Sequence, residues 1–382
     1  MAFGLGLSIG TVNTVSAVAE EDSVKAPPGR RRRATRPPAV THRTTLTFDS
    51  TGMARLGTIP RHGRVVTEFA DLTQRGATAA RVGNRALAPA DLVAVVADCL
   101  IAEIRDDPRA TGDDAGIALT HPVGYTDEQV GTLRTALDAA GLERVSLVAE
   151  PVAAAAWLEA EHGPLMPGLA LVYDLGGASL DVTLVRVGAG CPDNPVIGTL
   201  RSRDFGGRAF GALVTTQAVR AESSRDDEDA GDPMGARAQD RAGVLRSEHV
   251  RGSLELVYRC LRQADVTMAD VDRVLVVGGA ARPAEVVRVL GEELARPVVT
   301  APDPERTIAS GAAIMARRTV MPSAEAGRKR GSGPRAWEFS RRKLRRSARV
   351  AVGAGVCAVA VALTLTVPGD AVLTALSQFG AG

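Results

Sequence analysis

Two short glycine turns, each joining a pair of apolar runs, stand 166 residues apart. Ser8–Asn13 reads SIGTVN and Asp174–Ser179 reads DLGGAS. Aligned, Gly10 falls on Gly176 and Ile9 on Leu175, while Ser8 stands where the second copy has Asp174. The runs around the first turn are Phe3–Ile9 and Thr14–Ala19, and those around the second are Leu169–Tyr173 and Leu180–Val187. Each set predicts a β-hairpin. Elsewhere strand and helix patterns alternate. Leu92, Val95, Val96, Cys99, Leu100 and Ile104 form a helical stripe after Pro89. Gly116–Leu119 and Val145–Val148 read as strands, and Thr126 with Gln129 makes a capping box for a helix ending at Gly141. Glu150-Pro151 leads into the helix VAAAAWLEAE, and Arg273–Gly279 reads as a strand feeding a helix after Pro283. Alternation with a repeated hairpin predicts a duplicated α/β fold, its two lobes flanking a cleft, with the lobe boundary near 150–170.

Glycine turns at a cleft mouth have a chemical use. Without a Cβ the backbone can approach a phosphate closely, and successive N–H groups form an anion-holding nest. A third pair, Gly278-Gly279, follows a strand. There is no GxxxxGK[ST] loop and no GxGxxG opening a helix after the first strand, so neither a P-loop nor a Rossmann site is expected.

The chain has 382 residues, enough for two lobes with sizeable cores, and at 3% aromatic content those cores must be aliphatic. Of 46 Lys and Arg only three are lysines (Lys25, Lys329, Lys343), an arginine richness that reads as genome composition. Cys99, Cys191, Cys260 and Cys357 form no CxxC pair, so neither zinc nor a disulfide framework is expected. The start lacks the basic region of a secretory signal. Residues 317–349 carry a net charge of +10 and residues 1–316 about −7. Val350–Gly369 is twenty residues without a charge, long enough to span a bilayer as a helix over 350–367. Its upstream flank, FSRRKLRRSAR, favours the cytoplasmic side and anionic lipid. The basic run is thus read as a membrane flank and not a nucleic-acid arm. Residues 319–349 read as a tether, 368–382 as a short extracytoplasmic tail, and the localisation as a single-pass cell-membrane protein with its folded part in the cytoplasm. Ala354, Ala358 and Ala362 offer a small-residue face for weak self-association. Lys25–Pro38 and Glu222–Asp240 are poor in apolar residues and are expected as surface loops.

With these residues in place the chain resembles the 70-kDa heat-shock chaperones over about residues 3–318. GLSIGTVNTVSAV is similar to their first phosphate loop, LVYDLGGASLDVTLV to the second, and VLVVGGAARPAEVVRVL to the adenosine loop. AEPVAAAAW and PERTIASGAAIMA resemble the segments joining the lobes, and DFGGRAF the family's LGGxxF segment. Actin-like cell-shape and division proteins share part of this pattern; DFGGRAF and Asp181 lean toward the chaperone branch. The resemblance implies an actin-like ATPase fold with ATP or ADP and Mg²⁺ in the cleft. Gly10, Thr11, Val12 and Asn13 would hold phosphate from one side and Gly176, Gly177, Ala178 and Ser179 from the other. Asp174 would hold the water shell of Mg²⁺ and Glu150 would orient the attacking water, these two being the catalytic candidates. Gly278, Gly279 and Arg282 would flank purine and ribose, with Glu305 nearby.

The departures also count. Ser8 replaces an aspartate of the family at the metal, and the family's phosphate-contacting lysine has no counterpart, since no lysine lies between Lys25 and Lys329. Arg61, Arg64 or Arg75 are the candidates to replace it, though a guanidinium fork is not a point charge. The interval that should carry the adenine-side helix holds mainly the acidic stretch 222–240, and no peptide-binding β-domain follows. The expectation is a membrane-anchored ATP-binding protein of chaperone type with weakened hydrolysis, recruiting an unidentified protein partner; a non-hydrolysing scaffold and an actin-like cell-envelope factor are the alternatives.

Overall fold

Both glycine turns close antiparallel hairpins. In the computed structural model, which describes residues 3–20, 39–59, 65–74, 76, 79–82, 85–105, 115–223 and 234–320, β1 (Phe3–Ile9) pairs with β2 (Asn13–Glu20). One hairpin edge extends to β3 (Val40–Arg43), antiparallel; the other to β4 (Ala115–His121) and β5 (Val145–Ala149), both parallel. The second half repeats the plan. β6 (Gly168–Leu175) pairs with β7 (Leu180–Val187), β7 with β8 (Val196–Ser202) antiparallel, and β9 (Arg273–Val277) and β10 (Val298–Thr300) follow in parallel. The sheet orders are β5-β4-β1-β2-β3 and β8-β7-β6-β9-β10. The fold is therefore mixed α/β with an internal topological repeat, consistent with the actin-like ATPase architecture.

The helices fill the faces that these strands leave apolar. α1 (Pro89–Arg105) and α2 (Asp127–Ala139) cover the first sheet, where Leu92, Leu100, Leu133 and Leu137 pack with Leu5, Leu7 and Leu119. α2 starts with the Thr126/Gln129 capping box, and Gly141 follows its end at a left-handed φ of 75°. On the second sheet, Leu171, Tyr173, Val182 and Leu184 face Val257 and Cys260 of α5 (Met234–Gln263) and Val286, Val289 and Leu290 of α6 (Ala284–Leu294). Neighbouring residues of the same strands, Ala170, Val172 and Val185, face the other way. They meet Ala153, Trp157 and Leu158 of α3 (Glu150–His162) and Ile308 and Ala312 of α7 (Thr307–Val320). β6 is thus buried on both faces, the reason Leu169–Tyr173 is an unbroken apolar run. Between β3 and α1 lie short strands: Leu46–Phe48 with Ala54–Leu56 and Val65–Val66, and Ala80–Val82 with Arg85–Leu87.

The stretch expected as an acidic surface loop over Glu222–Asp240 is helical at both ends, with residues 224–233 outside the described residues. Its first two residues end α4 (Gly207–Ser223), and residues 234–240 open α5. Few apolar residues do not prevent a helix whose C-terminal half is anchored by Val250, Leu254, Val257 and Leu261. Extending an existing helix costs only propagation, and Met, Ala, Arg and Gln extend it well. Among the described residues no helix is long and apolar enough to cross a membrane. The expected tether start at 319 is corrected by two residues, since Thr319 and Val320 end α7 (Thr307–Val320). Residues 321–349, the segment 350–367, the tail and Lys25–Pro38 lie outside the described residues.

Candidate functional site

The two turns have the same internal bonding. Gly10 N donates to Asn13 O (3.0 Å) and Gly176 N to Ser179 O (2.9 Å). Gly10 and Gly176, both expected to hold phosphate, therefore shape their turns and spend their amides within them. The next amides, Thr11 and Val12 in one turn and Gly177 and Ala178 in the other, donate no hydrogen bond among the described residues. The turns meet: a Cβ on Gly177 would lie 2.3 Å from Val12 Cγ2 and 3.4 Å from Thr11 Oγ1. The first turn is braced by Thr44, whose Oγ1 donates to Gly10 O (2.7 Å). The second is braced by the N-terminus of α4, where Gly207 and Arg208 amides donate to Gly176 and Gly177 carbonyls (2.9 and 2.8 Å).

Around the turns lies a cleft of about 390 Å³ whose wall includes Ser8, Gly10, Thr11, Val12, Asn13, Glu150, Asp174, Gly176, Gly177, Ala178, Ser179, Gly278, Gly279 and Glu305. Of the described residues expected at the site only Arg282 is not on this wall. It stands half-exposed beside it, donating from Nη2 to Glu305 Oε1 (2.6 Å) and Asp303 Oδ1 (3.3 Å). Gly278 sits at a φ of 94°, and a Cβ there would lie 2.5 Å from Asp174 Oδ1. The third glycine loop thus presses on the second loop's carboxylate. Off this wall, Arg246 of α5 donates to Glu285 Oε1 (2.9 Å) and lies over the Phe210 ring.

Strand register explains the asymmetry between the turns. Asp174 on β6 is paired with Asp181 on β7, and Asp181 with Arg201 on β8. The corresponding rung of the first sheet is Ser8, Val15 and Thr41. One lobe thus carries two carboxylates and a guanidinium on adjacent strands, and the other carries no charge there. Glu150, the first residue of α3, joins the charged rung on the cleft wall. Burial, then the neighbouring carboxylates, hold Glu150 protonated well above the usual carboxylate range. Asp174 is pushed up to about 7, by burial first and Asp181 second. Asp181 is also raised by burial, against the pull of Arg201 and the Ser179 hydroxyl. Such a crowd of carboxylates prefers a cation between them.

Asp71, Arg201 and Arg208 on the cleft wall were not expected from sequence. Asp71 is 3% exposed, accepts from Thr73 and from Arg203 Nη2 (2.8 Å), and lies 3.7 Å from Arg201 Nη1. Burial alone would raise its pKa, but these donors hold it below the usual range. Arg208 Nη1 donates to Glu68 Oε1 at 3.0 Å. Sequence carried no signal that places Arg201, because the register between β7 and β8 shifts at Leu184/Val185, between the turn and the Asp181/Arg201 pair. Arg61, Arg64 and Arg75 lie outside the described residues.

The site therefore offers free backbone amides on two sides of a cleft, with hard oxygen ligands beside them. Among the described residues no three His, Cys, Asp or Glu side chains gather closely enough to hold a metal directly. The donor set suits a hydrated hard cation next to an anion. A family model described as Hsp70 protein matches residues 68–241 and 235–322. The chain is 28% identical over 267 residues to the chaperone protein HscA of Edwardsiella ictaluri, covering 63% of this chain and 42% of that protein. It is 29% identical over 236 residues to the HscA homolog of Chromobacterium violaceum, covering 54% and 38%. To the HscA homolog of Histophilus somni it is 27% identical over 270 residues, covering 64% and 43%. It thus spans about two fifths of the length of these curated relatives.

Proposed function

The chain belongs to the Hsp70 family, and from that premise we propose that its two-lobed part binds ATP and ADP with Mg²⁺ and hydrolyses ATP slowly or not at all. The observation that carries this reading is the meeting of the two turns, with unused amides of Thr11, Val12, Gly177 and Ala178 around one cleft. Phosphate oxygens are the ligands that such a double nest fits. Asp174 would hold the water shell of the metal, Glu150 a water near the phosphates, and Gly278, Gly279, Arg282 and Glu305 the nucleoside. Bound Mg²⁺ would supply positive charge against the phosphate oxygens.

Weak turnover is proposed because Ser8 and Val15 of the uncharged rung line the cleft where a second carboxylate set could hold the metal's waters. The same rung favours a second reading, a nucleotide-binding scaffold without hydrolysis. In both, the molecule recruits or regulates a protein partner at the cytoplasmic face of a cell membrane, held by one helix over 350–367. The uncharged run and its basic flank support that placement. Calorimetric titration of the detergent-solubilised full chain with ATP and ADP, with and without Mg²⁺, should show Mg-dependent binding of both. Ser8→Asp should strengthen the Mg²⁺ dependence more than it speeds hydrolysis. Absence of any nucleotide binding would overturn the reading. For the anchor, full chain that stays in the supernatant after an alkaline wash would reject the membrane span.

A further inference from the structure

Arg201 is held in an unusual state. Its Nε donates to Ser179 Oγ (3.1 Å) and lies 3.4 Å from Asp181 Oδ1, which fixes the plane of the guanidinium. Its Nη1 is buried, and among the described residues it makes no hydrogen bond. The 3.7 Å between Nη1 and Asp71 Oδ1 exceeds hydrogen-bond length. Leaving a buried charged donor without an acceptor costs more than leaving a neutral one. Asp71 takes its hydrogen bonds elsewhere, from Thr73 N, Thr73 Oγ1 and Arg203 Nη2 at 3.0, 2.6 and 2.8 Å, and meets Arg201 only as a nearby charge. Arg201 is thus pinned at one end and unsatisfied at the other, on the wall of the cleft that both glycine turns line.

We propose that Arg201 is the cation that meets the terminal phosphate of a bound nucleoside triphosphate. It would come from β8 of the second lobe, in a chain whose described residues contain no lysine. This rests on the nucleotide reading above and deepens it, because it assigns discrimination between triphosphate and diphosphate to one side chain. A guanidinium edge matches two oxygens of a phosphoryl group, and the incoming anion meets the part of the guanidinium that the cleft leaves open, the side chain being 21% exposed while Nη1 itself is covered. The position is reached without any lysine-bearing loop of the first lobe, and it places the cation on the rung that already carries Asp174 and Asp181.

The experiment compares ATP and ADP dissociation constants by calorimetry for the full chain and three variants, with thermal melting of the nucleotide-free forms. Arg201→Gln should weaken ATP binding at least about tenfold more than ADP binding, the size of one charge-assisted hydrogen bond. Arg201→Lys keeps a charge beside Asp181, and with it the fold, but loses the fork; it should shift the ATP/ADP ratio in the same direction by less. Arg203→Gln, which touches Asp71 and no turn, should change both affinities alike. If Arg201→Gln does not fold, an unchanged ratio in Arg201→Lys overturns the proposal alone. A ratio that moves with Arg203 and not with Arg201 also overturns it. If the wild type binds ADP and ATP and both Arg201 variants keep the ratio, the nucleotide reading stands and this assignment falls. If the wild type binds neither nucleotide, both fall.

Discussion

Asp174 shows at the residue scale how a binding site can weaken the fold that carries it. Its carboxyl lies among Asp181, Glu150 and Gly278, and its pKa rises from 3.8 to about 7. An acid raised in this way binds more protons folded than unfolded, so stability falls as pH climbs between the two values. Glu150 is shifted in the same direction. The melting temperature of the metal-free, nucleotide-free chain should therefore rise in Asp174→Asn relative to wild type, and the gap should widen from pH 5 to 7.5. A gap that stays constant with pH would contradict the assignment. The same substitution should weaken Mg-ATP binding, since it removes charge facing the metal. Gly177→Val acts by shape instead, since even its first carbon would sit 2.3 Å from Val12 Cγ2. It should abolish nucleotide binding with little change in far-ultraviolet dichroism, because it forces apart two turns and not a core.

At the scale of elements, the lobes are joined by helices that touch backbone to backbone. A Cβ on Gly311 of α7 would lie 1.7 Å from the Ala153 carbonyl oxygen of α3, and α7 also lies close against β1 at Gly4 and Gly6. Gly311→Ala should cost about 2–3 kcal/mol in denaturant unfolding, the size of a strained overpacked contact; a loss under 0.5 kcal/mol would mean that the helices separate without resistance. Elements of this kind were legible in the sequence because their signals are local. The α1 stripe, the Thr126/Gln129 box and both hairpins are set by residues within a few positions of one another. What was not legible depends on distant partners. Asp71 lies among strands of two or three residues, too short to show a period. Arg201 reaches Asp181 through a strand pair whose register shifts at Leu184/Val185, so counting from the turn does not place it. The start of α5 was misread because its stability comes from the packed half and not from its own residues.

For the whole molecule the question is what holds the cleft closed without a ligand. Three arginines of the second lobe reach two carboxylates of the first: Arg201 and Arg203 to Asp71, and Arg208 to Glu68. Arg208 and Glu68 are each about half exposed, and pairs of that kind contribute from nothing to about 1 kcal/mol. Arg203 is half exposed as well, and Arg201 stands beyond hydrogen-bond distance from Asp71. These ties select a closed geometry but hold it weakly, and a ligand that bridges both turns would add contacts to both lobes at once. Nucleotide should therefore shift the population toward closure. Hydrogen exchange on the full chain should show residues 65–74 and 201–210 exchanging readily without ligand and slowed by Mg-ATP. The central strands β1 and β6 should be protected in both states, since Leu7, Leu171 and Tyr173 are fully buried there. Arg208→Gln should leave the melting temperature within about 2 °C of wild type, because its pair is worth so little. It should still raise exchange at 65–74 in the ligand-free state. Protection confined to the two glycine turns, with 65–74 unaffected by Mg-ATP, would show that nucleotide binds an open cleft and that the arginine ties do not report its closure.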